Sequence, residues 1–403
     1  MSWIFFALSV VALVLVANAH RPARTWYLIV PSFFSAWLTN EIAPWWIAVE
    51  IGAGVLLLRA GALDAPIGCV GLAITILSGA GLVHLTVLAG RTREVFSTAL
   101  ADLPELIPPA RVHPAHVVLP LWLRDGRLER RKNIRYAPEF HRRHRLDIWR
   151  LKSGRADAPR LGAPVLLQIH GGAWVIGDKG QQGRPIMFEL ARRGWVCVAP
   201  NYRLSPAATF PDHLVDVKRA LAWVKEHIDE YGGDPARVVV TGGSAGGHLA
   251  AHLALTANDP EFQPGFESSD TSVLGCVPMY GIYDFTSLFD PRRVKDQRIA
   301  EYLARLVMET AIADDPARYA AASPITRVHA AAPPFLVVHG TNDNLADVGQ
   351  ARAFVPALRA VSAEPVYYAE LPAATHAFDV FHSIRTEHAV NGAVRFCEWA
   401  VNR

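Results

Sequence analysis

Apolar residues are spread unevenly along this 403-residue chain. They crowd the first ninety positions, where charges are few, and afterwards come in short runs separated by polar segments. Four charge-poor stretches open the chain: Ile4–Ala19, Trp26–Leu38, Ile42–Leu58 (interrupted by Glu50) and Pro66–Ala89. The last is long enough to cross a hydrocarbon core of ~30 Å. Trp26, Tyr27, Trp37, Trp45 and Trp46 lie near stretch ends, as interfacial aromatics do. A soluble core does not need so many charge-poor runs back to back, so residues 1–90 predict a multi-span helical membrane anchor. For the first run alone the alternative is a cleaved signal peptide. Trp26–Leu38 is short and reads either as a re-entrant segment or as a brief crossing. Orientation depends on that choice. Arg21 and Arg24 after the first run favour a cytoplasmic loop. Three crossings then leave the rest of the chain cytoplasmic, with which Arg91 and Arg93 agree; four would place it outside. The cytoplasmic side of the cell membrane is the reading taken. Glu50 inside a span is costly unless it faces protein or water, so a functional role and a helix-contact role both stay open.

Residues 91–130 read as a connector, broken by Pro104, Pro108, Pro109, Pro114 and Pro120. Basic residues crowd Arg124 to Arg160, either as a solvated surface or as a contact for anionic lipid headgroups. From about residue 131 onward, strand and helix patterns alternate. Lys132–Tyr136, Leu146–Leu151, Pro164–Ile169, Trp195–Ala199, Val238–Val240, Leu274–Tyr280, Phe335–His339 and Val366–Glu370 read as strands. Leu214, Val217, Leu221, Val224 and Ile228 recur at spacings of three and four, an amphipathic helix that Gly232-Gly233 stops. Such alternation predicts a mostly parallel sheet covered on both faces. Asp284–Ile325 interrupts the pattern, as a lid or as a crossover with extra helices.

Composition adds little beyond the membrane segment. Apolar residues are 51% of the chain, and the excess lies in the first ninety positions. A net charge of +3 does not suggest a nucleic-acid partner. Cys69, Cys197, Cys276 and Cys397 are widely spaced, which gives neither a zinc pattern nor a disulfide framework.

The chemistry is carried by Gly242-Gly243-Ser244-Ala245-Gly246, between the Val238–Val240 strand and a helix beginning at Gly247. G-x-S-x-G occurs by chance in Gly-rich turns, but between strand and helix it is a nucleophile elbow. The serine then sits on a strained turn, with glycines two residues to either side letting neighbouring backbone pass. His170-Gly171-Gly172-Ala173-Trp174 follows the Pro164–Ile169 strand. Acyl transfer puts negative charge on a tetrahedral oxygen, which needs preorganised N–H donors. The backbone N–H groups of Gly172, Ala173 and Ala245 are the candidates; a plain tight turn is the alternative. A general base and its carboxylate should follow in the order Ser, acid, His. Asp343 follows the Phe335–His339 strand, and His376 follows the Val366–Glu370 strand, both where parallel α/β sheets bind ligands. In this assignment His376 takes the Ser244 proton and returns it to the leaving alcohol, while Asp343 orients the imidazole. Asp379 is the runner-up acid, but it follows His376. Among competing histidines, His170 shapes the oxyanion turn, His339 braces the acid turn, and His382 lies too far beyond the last strand. Asn201-Tyr202-Arg203-Leu204-Ser205-Pro206 reads as a supporting loop.

Taken together, HGGAW, NYRLSP, GGDPARVVVTGGSAGGHLA, HGTND and THAF resemble the acetyl esterase/lipase group of α/β-hydrolases, relatives of hormone-sensitive lipase, and within it the bacterial Lip-type carboxylesterases. The resemblance covers about residues 130–400. It implies an α/β-hydrolase fold that cleaves carboxylic esters with no metal or organic cofactor. It places the family's serine on Ser244, its acid on Asp343 and its histidine on His376. The family's H-G-G-G is H-G-G-A here, which backbone donors tolerate. The membrane segment departs from most members. The expected activity is a membrane-anchored serine esterase or lipase acting on an ester that partitions into, or derives from, lipid. An acyltransferase, an amidase or formamidase, and a non-catalytic binding protein are the competing functions; the last requires a lost triad member, and all three are present.

Overall fold

The structure is a computed structural model that describes residues 1–104, 114–138, 141–152, 162–288 and 297–403. Parts of the expected connector (105–113), of the basic stretch (139–140 and 153–160) and of the 284–325 interruption (289–296) lie outside these residues.

Four helices come first: α1 (Ser2–His20), α2 (Trp26–Glu41), α3 (Ala43–Arg59) and α4 (Pro66–Ala99). α1 and α4 run parallel. Ser9 bonds Thr75 at 2.8 Å and His20 bonds His84 at 3.1 Å. Gly71 and Gly81 let the helices close up, since a Cβ there would strike the Phe6 backbone or Val16. α3 runs antiparallel to α4, with Glu50 accepting from Ser78 Oγ at 2.6 Å. Glu50 thus has a helix-contact partner. α2 and α3 meet at an angle of 84°. By length and apolarity, α1 and α4 are each able to cross a membrane, and the bent α2–α3 pair adds a third crossing if it counts as one.

α4 does not stop with the apolar run at Ala89. Its last turns, and the residues just after them, carry Phe96, Leu100 and Leu103 into the hydrophobic core of the second half of the chain. There Phe96 packs so tightly on the C-terminal helix that a Cβ on Gly392 would lie 2.1 Å from its ring.

Beyond a short helix, α5 (Pro114–Val118), eight strands form one sheet in the order β1-β2-β4-β3-β5-β6-β7-β8. They are β1 (Leu128–Arg135), β2 (Arg145–Leu151), β3 (Ala163–Ile169), β4 (Val196–Pro200), β5 (Gly233–Gly243), β6 (Gly275–Met279), β7 (Phe335–Gly340) and β8 (Val366–Leu371). β2 is antiparallel to both its neighbours, and from β4 through β8 every pairing is parallel. α6 (Arg184–Arg192), α7 (Asp212–His227), α8 (Ala245–Leu255), α9 (Phe285–Leu288), α10 (Gln297–Val307), α11 (Pro316–Ala321), α12 (Gly349–Arg359) and α13 (Ile384–Asn402) complete the chain. The central strands read as continuous apolar runs because both faces are covered. In β3, Val165 and Leu167 join the α7–α8 core, while Leu166 joins the α4–α6–α13 core. Leu214, Val217, Leu221, Val224 and Ile228 are all fully buried, as their spacing predicts. Where described, the 284–325 region carries α9, α10 and α11 with irregular chain between them, and Val307, Met308 and Tyr319 bury against the α7–α8 side. Three arginines of the basic stretch turn inward: Arg130 to Asp147, Arg150 to Glu129, and Arg143 to the loop after β3.

Phe96→Ala empties the α4–α13 contact and should cost about 3 kcal/mol. A thermal melt of the full chain in detergent checks this, with a clear drop in Tm expected; an unchanged Tm would mean the contact contributes nothing.

Candidate active site

Parallel strands bring the candidate residues to one end of the sheet. Ser244 follows β5 directly, in the left-handed region at φ 58°, and opens α8. A side chain rarely adopts this backbone, and it persists because its neighbours over-determine it. The Ser244 N–H donates to Met279 O at 3.0 Å, and the Ser244 carbonyl accepts from His248 N–H at 3.0 Å. The flanking glycines are sterically compelled. A Cβ on Gly242 would lie 2.4 Å from Gly246 O, and one on Gly246 2.1 Å from Ile169 O. Ser244, Gly172 and Ala173 are half-buried and open to a ligand.

The turn after β3 packs directly on this elbow. A Cβ on Gly171 would sit 2.6 Å from Gly243 O and 3.1 Å from Ser244 Cβ. Gly172 and Ala173 both have positive φ, 122° and 51°. Among the described residues, no acceptor takes the N–H of either. Ala245 N–H belongs to the first turn of α8, which has no intrahelical acceptor and lies at the positive end of the helix. The turn is braced from behind. His170 stacks on Tyr202 with ring centroids 4.4 Å apart, and Tyr202 Oη donates to His170 O at 3.0 Å. His170 Nδ1–H donates to Gly171 O at 2.8 Å, and its Nε2 accepts from Arg143 at 3.2 Å. Burial lowers its pKa to about 4, so this imidazole is neutral. Trp174 Nε1–H donates to His248 Nδ1 at 3.2 Å, and His248 Nε2–H to Ala322 O at 2.8 Å. The Asn201–Pro206 loop thus supports the glycine turn, through Tyr202 and through Ser205 N–H bonding Trp174 O at 2.9 Å.

Asp343 and His376, the candidate acid and base, meet where the chain leaves β7 and β8. His376 Nδ1–H donates to Asp343 Oδ2 at 2.7 Å, which leaves Nε2 as the unprotonated nitrogen. Asp343 is fully buried. Its Oδ1 accepts from the N–H groups of Leu345 (2.9 Å) and Ala346 (2.7 Å). His339 Nε2 lies 3.4 Å from Oδ2 and donates to Ala346 O. Burial alone would push this carboxyl up. Electrostatic attraction to the His376 ring and the hydrogen bonds from His339 and His376 outweigh it and hold the carboxyl well below its usual range. Asp379, the alternative acid, accepts instead from Tyr280 Oη, and burial raises its pKa. Tyr280 ties the two halves together: its ring lies edge-on to His376 at 4.8 Å, and its hydroxyl fills the space beside Gly243. No hydrogen bond joins Ser244 Oγ to His376 among the described residues; such bonds are often long until substrate arrives.

His382 lies elsewhere. It donates to Glu387 at 2.6 Å and stacks on His116 at 3.7 Å. Burial pushes Glu387 up, but the hydrogen bonds from His116 and His382 prevail and hold it at about 2. This is the one trio of potential metal ligands among the described residues, with His116 Nδ1 3.1 Å from the carboxylate that His382 bonds.

Sequence reasoning missed the contribution of α2. Phe33 lies edge-on to His376 at 6.1 Å, Trp37 Nε1–H donates to Ala377 O at 3.0 Å, and Asn40 to Ala373 O at 2.5 Å. Glu41 forms a fully buried ion pair with Arg385 and accepts from Ser383 Oγ at 2.7 Å. The polar pair Asn40-Glu41 at the end of an apolar run was the one signal available.

A serine on a strand-to-helix elbow, a Gly-rich turn against it, and an Asp–His pair from the next strands define an α/β-hydrolase. The chain belongs to the BD-FAE family, whose model matches residues 147–358, a range that holds Ser244 and Asp343. It is 44% identical over 398 residues to the probable carboxylic ester hydrolase LipM of Mycobacterium tuberculosis, covering 94% of this chain and 89% of that protein. Esterase LipQ of the same organism is 49% identical over 255 residues, 63% of this chain and 58% of LipQ. A truncated carbohydrate esterase from gut microbiota superposes with a TM-score of 0.57 at 21% identity, over 68% of this chain and 97% of that one. Esterase B from Lactobacillus rhamnosis gives 0.57 at 21% identity, over 77% and 93%. At that identity the structural likeness is one of fold. The chain is a carboxylic ester hydrolase.

Asp343 sits below its unfolded value, so its contribution to stability is complete above about pH 4 and is lost as pH falls through the folded-state value. The Tm gap between wild type and Asp343→Asn in detergent should therefore be full at neutral pH and narrow below about pH 4. A gap independent of pH would contradict an ionised Asp343.

Proposed function

We propose that this protein is a membrane-anchored serine carboxylesterase in which Ser244 is the nucleophile, His376 the general base and Asp343 the residue that orients the imidazole and stabilises its charged form. The 2.7 Å hydrogen bond from His376 to the buried, ionised Asp343, beside a serine on a left-handed elbow, carries the reading. Ser244 Oγ attacks the ester carbonyl carbon as its proton passes to His376 Nε2. The oxyanion is met by the N–H groups of Gly172, Ala173 and Ala245. Collapse breaks the acyl C–O bond, and His376 returns the proton to the leaving alcohol. Water then attacks the acyl-enzyme by the same route, releasing the acid and free Ser244.

In this reading α1–α4 anchor the chain, and the hydrolase extends from about residue 131 to the C-terminus. The alignment with LipM covers enough of the chain to reach into these helices. Parallel α1 and α4 require one return crossing between them, which the bent α2–α3 pair supplies. Arg21, Arg24, Arg91 and Arg93 then lie at the hydrolase end, and the excess of arginine there favours a cytoplasmic hydrolase.

Ser244→Ala should lower kcat/KM on p-nitrophenyl esters by at least about 10⁴-fold and abolish fluorophosphonate labelling, with His376→Ala comparable and Asp343→Asn down by about 10²–10⁴-fold. Normal turnover by Asp343→Asn together with loss in Asp379→Asn would reassign the acid. The protein should stay in the membrane pellet in alkaline carbonate and leave it only with detergent; release by carbonate alone would sink the anchor.

A further inference from the structure

α2 has two faces of different character. Phe33, Trp37 and Asn40 face the loop that carries His376, making the contacts given above. Val30, Phe34 and Leu38, spaced by four residues, form a continuous exposed apolar stripe along the adjoining side. The loop joining α1 to α2 is bonded to the acid loop. Asn342 donates to His20 O at 2.8 Å, Asn344 to Ala23 O at 2.9 Å, and Arg24 pairs with Asp347 at 2.5 Å. α3 lies antiparallel to α4 and at 84° to α2. With α3 and α4 along the membrane normal, α2 therefore lies flat across the hydrolase end of the bundle.

A second apolar edge sits at the same level. Trp45, at the start of α3, donates from Nε1 to Val117 O at 3.0 Å, and Val118, Leu119, Leu121 and Trp122 beyond it are exposed. Between the start of α3 and residues 118–122 runs an apolar groove of about 500 Å³. It is continuous with the bundle, so hydrocarbon is the medium that suits it. An amphipathic helix with an exposed apolar stripe, aromatic neighbours and arginines at its start belongs in the headgroup–acyl boundary.

We infer that α2 is an interfacial helix whose inner face walls the active site against His376 while its outer stripe lies in the leaflet, so that the substrates are esters whose long acyl chain stays in that leaflet during catalysis. This rests on the serine-esterase reading and names its substrate class. Phe33 is then a positioning residue, acting through His376.

The test uses the full chain in phosphatidylcholine vesicles. Cys69 is the one exposed cysteine, so an environment-sensitive dye on Val30→Cys in a Cys69→Ser background reports depth without reference to activity. A quencher carried near the lipid headgroup should quench it more strongly than one near the chain terminus. No quenching, or stronger quenching from the chain terminus, overturns the interfacial placement. The double variant Val30→Ser/Leu38→Ser should keep hydrolysis of dissolved p-nitrophenyl acetate within about twofold while hydrolysis of vesicle-embedded p-nitrophenyl palmitate falls about tenfold. Equal loss on both esters, or loss on neither, refutes the leaflet-delivered substrate. Phe33→Ala should lower kcat on the acetate about tenfold at unchanged KM, with Phe33→Leu restoring it; an unchanged kcat in Phe33→Ala removes Phe33 from the site. Failure of the serine reading would register separately, as absent fluorophosphonate labelling of wild-type Ser244.

Discussion

A carboxylate that stays charged where water cannot reach it is the constraint on which this site rests. Burying an ionised carboxylate is prohibitive unless its lone pairs are taken up. Asp343 meets that demand with two backbone N–H groups of its own turn and an imidazole N–H, beside a second imidazole. The turn cannot relax without leaving charge unpaired, so the carboxylate fixes both the loop and the ring plane of His376. The parallel register supports this geometry. His339 pairs with Glu370 and Gly340 with Leu371, so the loops that follow β7 and β8 leave the sheet side by side.

The serine half of the site is held by exclusion rather than by charge. β3 and β5 are neighbours, and the turns that follow them touch at Gly171 and Gly243 with no room for a methyl group. Neutral His170, wedged between Tyr202 and Arg143, stiffens the glycine turn. Tyr280 then couples the halves, occupying the space beside Gly243 and flanking His376. One half tolerates no added volume, and the other no lost hydrogen bond.

Much of this was legible in the residues. The stripe from Leu214 to Ile228 and the strand–glycine–helix signature at Ser244 are local patterns, each with a local physical cause, while Asp343 and His376 were picked out by their place after two successive strands. The role of α2 was not legible, because hydropathy does not distinguish an apolar side chain that meets lipid from one that meets protein. Phe33 and Phe34 are adjacent and identical in type, yet one is buried near His376 and the other exposed. The continuation of α4 past Ala89 was hidden for a related reason: Phe96 and Leu100 find their partners on a helix close to the other end of the chain. His116 and Glu387 likewise meet across a separation that no local spacing can encode.

α4 runs unbroken for 34 residues, roughly 50 Å at the rise of an α-helix, with one end in the helical bundle and the other in the hydrolase core. It therefore works as an axle rather than a leash. A tethered enzyme samples a hemisphere set by linker length; this one turns only as the whole bundle turns and drifts only as the bundle drifts. With the bundle in a membrane, as proposed above, a substrate held in the same leaflet would reach the site by lateral diffusion in two dimensions rather than from bulk water.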